Sequence, residues 1–255
     1  MSKRITSARG VRLAWLGGLA GLLLTAGPAA AASINYGDFD DIPPGTVMFL
    51  DVTESSGTDP VPLFGSPSVI GNVLGFDPNG FAASAAGGSA DITDGQLNFT
   101  AEVLSGYAME SLTVSEFGDY TLAGAGTTVT SVVVGIVAFA TITEVDGAPI
   151  TPFTVNASMS QQFDLVNDAG IVVPWSGGLS IDLNQALADE GLSYNLGVTE
   201  FDYVMNNQLL AFSEPGTIAF ISKKNFDISL ETRVPEPSTF TLVLGGLAML
   251  RRRRR

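Results

Sequence analysis

The sequence predicts an all-β protein, an antiparallel β-sandwich for which a jelly-roll-like connectivity is one form. Segments rich in Val, Ile, Thr and Phe are interrupted every several residues by Gly, Pro, Asn or Asp, which is typical of many short strands. From Leu97 to Val103 apolar and polar residues alternate, so one face of that strand can be buried and the other hydrated. The chain contains no cysteine, so an ordinary hydrophobic core must hold these strands together.

Six further segments have the same strand character. They read TVMFLDV, YAMESLTVSEF, TVTSVVVGIVAFATITEV, SQQFDLV, VTEFDYVM and GTIAFIS. Within the longest of them, residues 131–142 are almost uniformly apolar, and their β-branched content favours a strand over a buried helix. Such uniformity predicts a central strand covered on both faces.

One helix is predicted, in DLNQALADEG. Asp182 and Gln185 have the spacing of an N-terminal capping box, and Gly191 is suited to end the helix. By their Gly, Pro, Ser and Asp content, residues 53–67 and 79–95 are predicted to be loops.

The N-terminus has the three parts of a secretory signal peptide. Four basic residues between Lys3 and Arg12 precede the apolar stretch Leu13–Ala26, and small alanines follow up to residue 32. A retained membrane helix fits less well, because the apolar stretch is shorter than the roughly 20 residues of a span. We therefore expect residues 1–32 to be a signal peptide, cleaved before Ser33.

The expected exported region is strongly acidic. Every acidic residue of the chain except Glu236 lies between Ser33 and Thr232, where Lys223 and Lys224 are the only bases. A nucleic-acid partner is excluded, because binding to phosphates requires a cationic surface. Solubility and the attraction of divalent cations both remain open as reasons for the negative charge.

The absence of histidine and cysteine removes much chemistry. The usual zinc and copper ligands, the Ser-His-Asp and Cys-His nucleophile systems and the commonest general base all need one of these residues. We predict that the protein is not an enzyme and has no resident cofactor, with calcium left open.

Calcium is the metal that the composition favours, because hard cations bind carboxylate and carbonyl oxygens. The candidate ligands are Asp38, Asp40 and Asp41 in DFDD, and Asp91 and Asp94 in DITDG. Neither segment matches an EF-hand loop, and aspartate is also a common turn former.

Carboxylate pairs that resemble glycosidase residues also occur. Glu116 with Asp119, and Glu200 with Asp202, are the first candidates, and the latter two share a face if their segment is a strand. With so many acids in the region, such pairs arise by chance.

Other side chains suggest weaker possibilities. Ser222 and Lys223 are adjacent, so in a strand they point to opposite faces and do not form a nucleophile pair. Trp175, Tyr107 and Tyr36 can stack on sugar rings if they are exposed, although a tryptophan in a sandwich is more often part of the core.

The C-terminus resembles a known sorting signal. The segment Val234–Ser238 reads VPEPS, Thr239–Leu250 is apolar, and the chain ends in Arg251, Arg252, Arg253, Arg254 and Arg255. These three parts are similar to the PEP-CTERM sorting signal. The resemblance implies a Gram-negative envelope protein from a species that secretes exopolysaccharide, processed by a membrane-embedded exosortase that recognises Pro235, Glu236 and Pro237. The segments VPLFGSP, DITDGQLNFT, SEFGDYTL and TEVDG also resemble the ectodomain of PEP-CTERM proteins of unassigned activity.

The tail has a physical interpretation of its own. The prolines at 235 and 237 keep the segment extended, as a processing enzyme requires. The five terminal arginines predict that this end of the chain stays on the cytoplasmic side of the membrane, because basic residues that flank an apolar segment are retained there. As a short hydrophobic helix, Thr239–Leu250 reaches only about 18 Å, against a hydrocarbon core of about 30 Å, which favours transient inner-membrane association over lasting anchorage.

The chain thus divides into a signal peptide at 1–32, a β-sandwich ectodomain at 33–232 and a sorting segment at 233–255. Two sorting ends around a region without catalytic motifs predict a structural protein of the cell surface or extracellular matrix. The alternative is a carbohydrate- or calcium-binding adhesion module, and a glycoside-active enzyme with a carboxylate pair is the third hypothesis.

Overall fold

A computed structural model describes residues 32–234, and nearly all of them lie in antiparallel strands. The all-β, antiparallel prediction is confirmed. The elements are β1 (Ala32–Asp40), β2 (Val47–Ser56), β3 (Ser68–Ile70), β4 (Val73–Phe76), β5 (Ala82–Ala86), β6 (Ala90–Val103), β7 (Ala108–Gly124), β8 (Ser131–Val145), β9 (Ala148–Asp164), β10 (Gly170–Asp182), α1 (Leu183–Asp189), β11 (Val198–Phe212) and β12 (Thr217–Arg233).

The strands form two layers. The first layer has the order β1-β2-β6-β11-β8-β9. In the second layer β7 lies between β10 and β12, and the other edge of β12 pairs with β5 and with the β3-β4 hairpin. Across the interior, β5 contacts β6 and β11, and β9 contacts β10. This arrangement is consistent with the predicted β-sandwich, and a jelly-roll connectivity stays a prediction.

Strand alternation builds the interior, because every second side chain of the central strands points between the layers. Aromatic rings fill much of it: Phe64 packs against Phe76, Phe81 and Phe226 with ring centroids 5.0 to 6.0 Å apart. Phe64 comes from the loop between β2 and β3. The fully buried carboxylate of Glu54 holds this loop by accepting hydrogen bonds from the backbone amides of residues 63 and 64.

The predicted helix is confirmed as α1, and it ends before Gly191 as predicted. The capping box is only half formed, because the Gln185 side chain bonds Asp189 instead of the Asp182 backbone. The side chain of Asp182 accepts a hydrogen bond of 2.8 Å from the amide of Gln185. After the helix, Gly191 adopts a φ of +70°, which turns the chain away at little steric cost.

Three local predictions are wrong, at least in part. Residues 53–56, predicted to belong to a loop, are the end of β2. In β8, Val137 is 38% exposed, because β8 is central within its sheet but no other element of residues 32–234 covers its outer face. Within the predicted loop 79–95, residues 82–86 form β5 and residues 90–95 begin β6, so only 79–81 and the turn at 87–89 lie outside strands. Ala83 and Ala85 of β5 are buried against the facing layer, where small side chains allow close approach.

The predicted signal peptide, apart from Ala32, and the tail from Pro235 to Arg255 lie outside the described residues. Within 32–234, no helix combines the length and the apolar character that crossing a membrane would require.

Candidate functional site

The outer face of the first layer presents a broad array of uncharged polar side chains. Strands β6, β11, β8 and β9 are neighbours, and their pairing aligns outward residues in rows across the sheet. Amides and hydroxyls dominate these rows. Three successive rows are Gln96, Asn206, Val137, Ser158; Asn98, Val204, Phe139, Asn156; and Thr100, Asp202, Thr141, Thr154.

A groove crosses this face at Gly135 of β8. Gly135 pairs with Gln208 of β11 on one side and with Ser160 of β9 on the other, so the missing side chain leaves a depression between them. Its volume is about 550 Å³. The side chains that line it include Asp94, Val137, Ser158, Ser160, Asn206 and Gln208.

A smaller depression of about 290 Å³ lies on the same face, toward β2. It is lined in part by Asn98, Thr100, Asp202 and Val204. Because its row at Asn98 adjoins the row that borders the groove, the two depressions follow one another across the sheet. The face therefore offers an extended contact surface rather than one closed pocket.

An apolar strip lies in the middle of the polar rows. Val137 is exposed, and Phe139 and Val204 beside it are partly exposed. A ligand on this face would meet apolar carbon surface flanked by hydrogen-bonding groups, which is the usual composition of a small-molecule or glycan site.

Trp175 is not part of this surface. Its side chain is buried, and its Nε1 donates a hydrogen bond of 3.2 Å to the backbone oxygen of Ser222. The interpretation of Trp175 as a core residue is therefore confirmed, and the condition for sugar stacking, an exposed ring, is not met. Tyr36 is partly exposed and donates its hydroxyl to Glu54, while the partly exposed Tyr107 lines a small depression beside Asp146.

The two candidate carboxylate pairs differ in their geometry. Glu116 and Asp119 point to opposite faces of β7, so that pairing is wrong. Glu200 and Asp202 share the outer face as predicted. Each of these two accepts a hydrogen bond from a threonine of a neighbouring strand, at 2.9 and 2.7 Å respectively.

The aspartates of the first calcium candidate take part in local backbone structure. Asp38, Asp40 and Asp41 each accept a hydrogen bond from a backbone amide, at 2.8 to 3.2 Å. These contacts agree with the turn-forming role of aspartate.

The aspartates of the second calcium candidate, Asp91 and Asp94, also accept hydrogen bonds from nearby segments of the chain. Asp91 accepts from the amide of Ser84 at 2.7 Å. Burial alone would raise the pKa of Asp94, but hydrogen bonds from Thr58, Gly57 and Ser56 outweigh burial and lower it. Within residues 32–234 no three carboxylates come together as a possible metal cluster, and calcium binding stays a prediction.

A polar cluster that was not predicted from the sequence lies in the interior between the layers. Lys223 of β12 and Asn207 of β11 both contact the carboxylate of Glu116 on β7, and all three side chains are buried. The ammonium group of Lys223 lies 4.8 to 5.4 Å from the centroids of three phenylalanine rings. Ser222 and Lys223 point to opposite faces, as predicted.

A signal for this cluster was present in the sequence. Glu116 follows Leu112 and Val114 at the inward positions of its strand, and Lys223 likewise follows Ile221. A charged residue at an inward position of an apolar alternation indicates a buried, paired group.

Comparison with known proteins finds no matching protein-family model and no matching curated protein. Among solved structures, TmCBM61 in complex with β-1,4-galactotriose is 10% identical over 63% of this chain and 83% of that one, with a TM-score of 0.22. The infectious bursal disease virus Gx strain structure is 12% identical over 80% of this chain and 60% of that one, with a TM-score of 0.18. These scores are too low to establish a shared fold.

Proposed function

We propose that this protein is an exported, non-catalytic module that binds a neutral polysaccharide on the outer face of its first layer. The observation that carries the proposal is the groove at Gly135 within rows in which amides and hydroxyls predominate. Sugar hydroxyls both donate and accept hydrogen bonds, and Asn, Gln, Ser and Thr side chains can act as acceptors or as donors to them. The apolar strip at Val137 and Phe139 suits the carbon-bound face of a sugar ring.

The charge of the protein favours a neutral ligand over an acidic one. Among the described residues the bases are Lys223, Lys224 and Arg233, and Lys223 is buried. An anionic polysaccharide would therefore approach a strongly negative surface and be repelled at low ionic strength.

The sorting hypothesis completes this proposal. Residues 235–237, the apolar run after them and the terminal arginines together support a precursor that is held briefly at the inner membrane and released by an exosortase-type enzyme. The released module would then act in the cell surface or extracellular matrix, where a polysaccharide is its expected partner.

Filling the groove tests the binding proposal. We expect Gly135→Gln to weaken binding to the best neutral polysaccharide of a glycan panel at least about tenfold, or about 1.4 kcal/mol. The change should not strain the fold, because the nearest heavy atom to an added Cβ is the Met159 oxygen at 4.0 Å. Binding is measured by calorimetry or affinity electrophoresis.

A matched control separates groove filling from a general surface effect. Ser176→Gln introduces the same side chain at an exposed position of β10, in the other layer, and should bind as the wild type does. Equal affinity of the wild type and Gly135→Gln would place any binding elsewhere and contradict the proposal.

Replacing Pro235, Glu236 and Pro237 with alanine tests the sorting hypothesis. Export should continue, because the N-terminal signal is unchanged, but an unprocessed precursor should accumulate at the inner membrane. Mass spectrometry of the extracellular fraction decides the matter. Peptides that reach Arg255 in the extracellular wild-type protein would contradict processing.

A further inference from the structure

Three polar side chains from three strands meet in the interior. Lys223 Nζ and Asn207 Nδ2 both donate hydrogen bonds to the same atom, Oε1 of Glu116. The three residues are at most 1% exposed. Because one oxygen atom contacts both nitrogen atoms, the amine of Lys223 and the carboxamide of Asn207 are immediate neighbours.

If this cluster is only an ion pair, some of its buried polar atoms lack hydrogen-bond partners. Within residues 32–234, Glu116 Oε2 and Asn207 Oδ1 are buried without a hydrogen-bond partner. The rings of Phe64, Phe81 and Phe226 surround the lysine amine instead of water. Desolvating two charges and leaving further polar atoms unpaired opposes folding, and a reaction that removes the charges would relieve that cost.

We propose that Lys223 and Asn207 form an intramolecular amide bond, with Glu116 as the catalytic acid–base residue. The amine nitrogen and the amide carbon are held together by the fold, which supplies the proximity that such a reaction needs. Glu116 already contacts both the attacking nitrogen and the nitrogen that must leave.

The reaction balances without any other reagent. A proton first passes from the Lys223 ammonium to the Glu116 carboxylate, which leaves a neutral amine and a neutral acid. The amine lone pair attacks Cγ of Asn207, and the carbonyl electrons move to Oδ1. Glu116 gives its proton to Nδ2 and takes one from Nζ. When the carbonyl reforms, the Cγ–Nδ2 bond breaks and one ammonia molecule leaves.

The electrostatics of the cluster favour the neutral forms that the reaction requires. Burial lowers the pKa of Lys223 to about 8, with the charge of Glu116 opposing the shift. Burial also raises the pKa of Glu116 despite the opposing charge of Lys223 and the hydrogen bond from Asn207. The amide product carries no charge, so its burial is less costly.

The bond would join the two layers through the core. Asn207 belongs to β11 in the first layer and Lys223 to β12 in the second, and the chain turns between them after Phe212. Separation of the layers would then require rupture of a covalent bond rather than of an ion pair.

Mass spectrometry of the purified full-length product tests the proposal. We expect the intact mass to be lower than the sequence mass, after any terminal processing, by one ammonia molecule. Chymotrypsin cleaves after Phe212 and Phe220 and so separates the two residues, yet their peptides should be recovered as one branched species. Succinimide formation at Asn207 would give the same mass loss with linear peptides, and this result would overturn the proposal.

Variants define the role of each side chain. Lys223→Met and Glu116→Gln should show no branched peptide, whereas Lys224→Met at the exposed neighbour should retain it fully. In Asn207→Asp the leaving group becomes water, so the same branched peptide should form with loss of water instead of ammonia. This last variant keeps a test available if Glu116→Gln does not fold.

Two outcomes would contradict the proposal. Linear wild-type peptides with free Lys223 and intact Asn207 would show that the cluster is an ion pair only. A full yield of branched peptide in folded Glu116→Gln would remove Glu116 from the reaction.

Discussion

Replacing Glu116 with leucine is expected to lower the free energy of unfolding by about 3–5 kcal/mol, because it leaves a buried lysine without its partner. Lys223 Nζ is enclosed by phenylalanine rings and by the Glu116 carboxylate, and Asn207 donates to the same carboxylate. The variant would force the amine to be buried unpaired or to become neutral. Urea unfolding of the wild type and the variant measures the difference.

Two companion variants show whether the unpaired lysine causes the loss of stability in Glu116→Leu. Lys224→Met removes a lysine that is 58% exposed and pairs only loosely with Asp119, at 3.8 Å, so its stability should stay close to that of the wild type. The double variant Glu116→Leu with Lys223→Met removes both charges and should be more stable than Glu116→Leu alone. An unchanged unfolding midpoint in Glu116→Leu would show that the cluster does not contribute to stability.

The strands and the helix were largely predictable because their signals are local. Alternation from Leu97 to Val103 requires only neighbouring residues, and it corresponds to the inward and outward faces of β6. The cap of α1 likewise depends on Asp182 and Gln185, three positions apart. Such features persist whichever strands become neighbours.

The errors arose where tertiary contacts decide the outcome. The alanines of β5 have weak strand propensity, but β5 pairs with β12, and Ala83 and Ala85 are buried against the facing layer. The uniformly apolar β8 lies between β11 and β9, yet none of the described strands packs on its outer face. Neither result follows from composition, because both depend on which layer covers a strand.

The candidate site was not predicted, since it depends on register between distant segments. Gly135, Gln208 and Ser160 are widely separated in sequence and adjoin only because β8 pairs with both β11 and β9. The acidic candidates stood out in the sequence through their residue type. An uncharged amide or hydroxyl does not stand out by its residue type, and it indicates a binding surface only when the sheet aligns it with others.

Trp175 and Gly118 form the tightest contact between β10, β7 and β12, and it leads to the second large prediction. Gly118 faces inward on β7, where a Cβ atom would collide with the backbone oxygen of Ser222 and lie 2.6 Å from Trp175 Nε1. That same oxygen accepts the indole hydrogen bond of Trp175. Displacing the indole relieves only the contact with Trp175, so the paired backbones of β7 and β12 must also move apart at this point.

Gly118→Ala is therefore expected to lower the free energy of unfolding by about 3 kcal/mol or more, which exceeds ordinary overpacking because a large buried side chain is displaced. Thermal unfolding measures the loss. If residues 1–32 are cleaved as expected, Trp15 is lost and Trp175 is the only tryptophan that remains, and its emission should shift to the red as the indole becomes exposed. Gly135→Ala is the matched control, since its Cβ would enter open space. If Gly118→Ala melted like this control, with unchanged emission, the packing of Trp175 against Gly118 would not be the contact that holds β10 to the core.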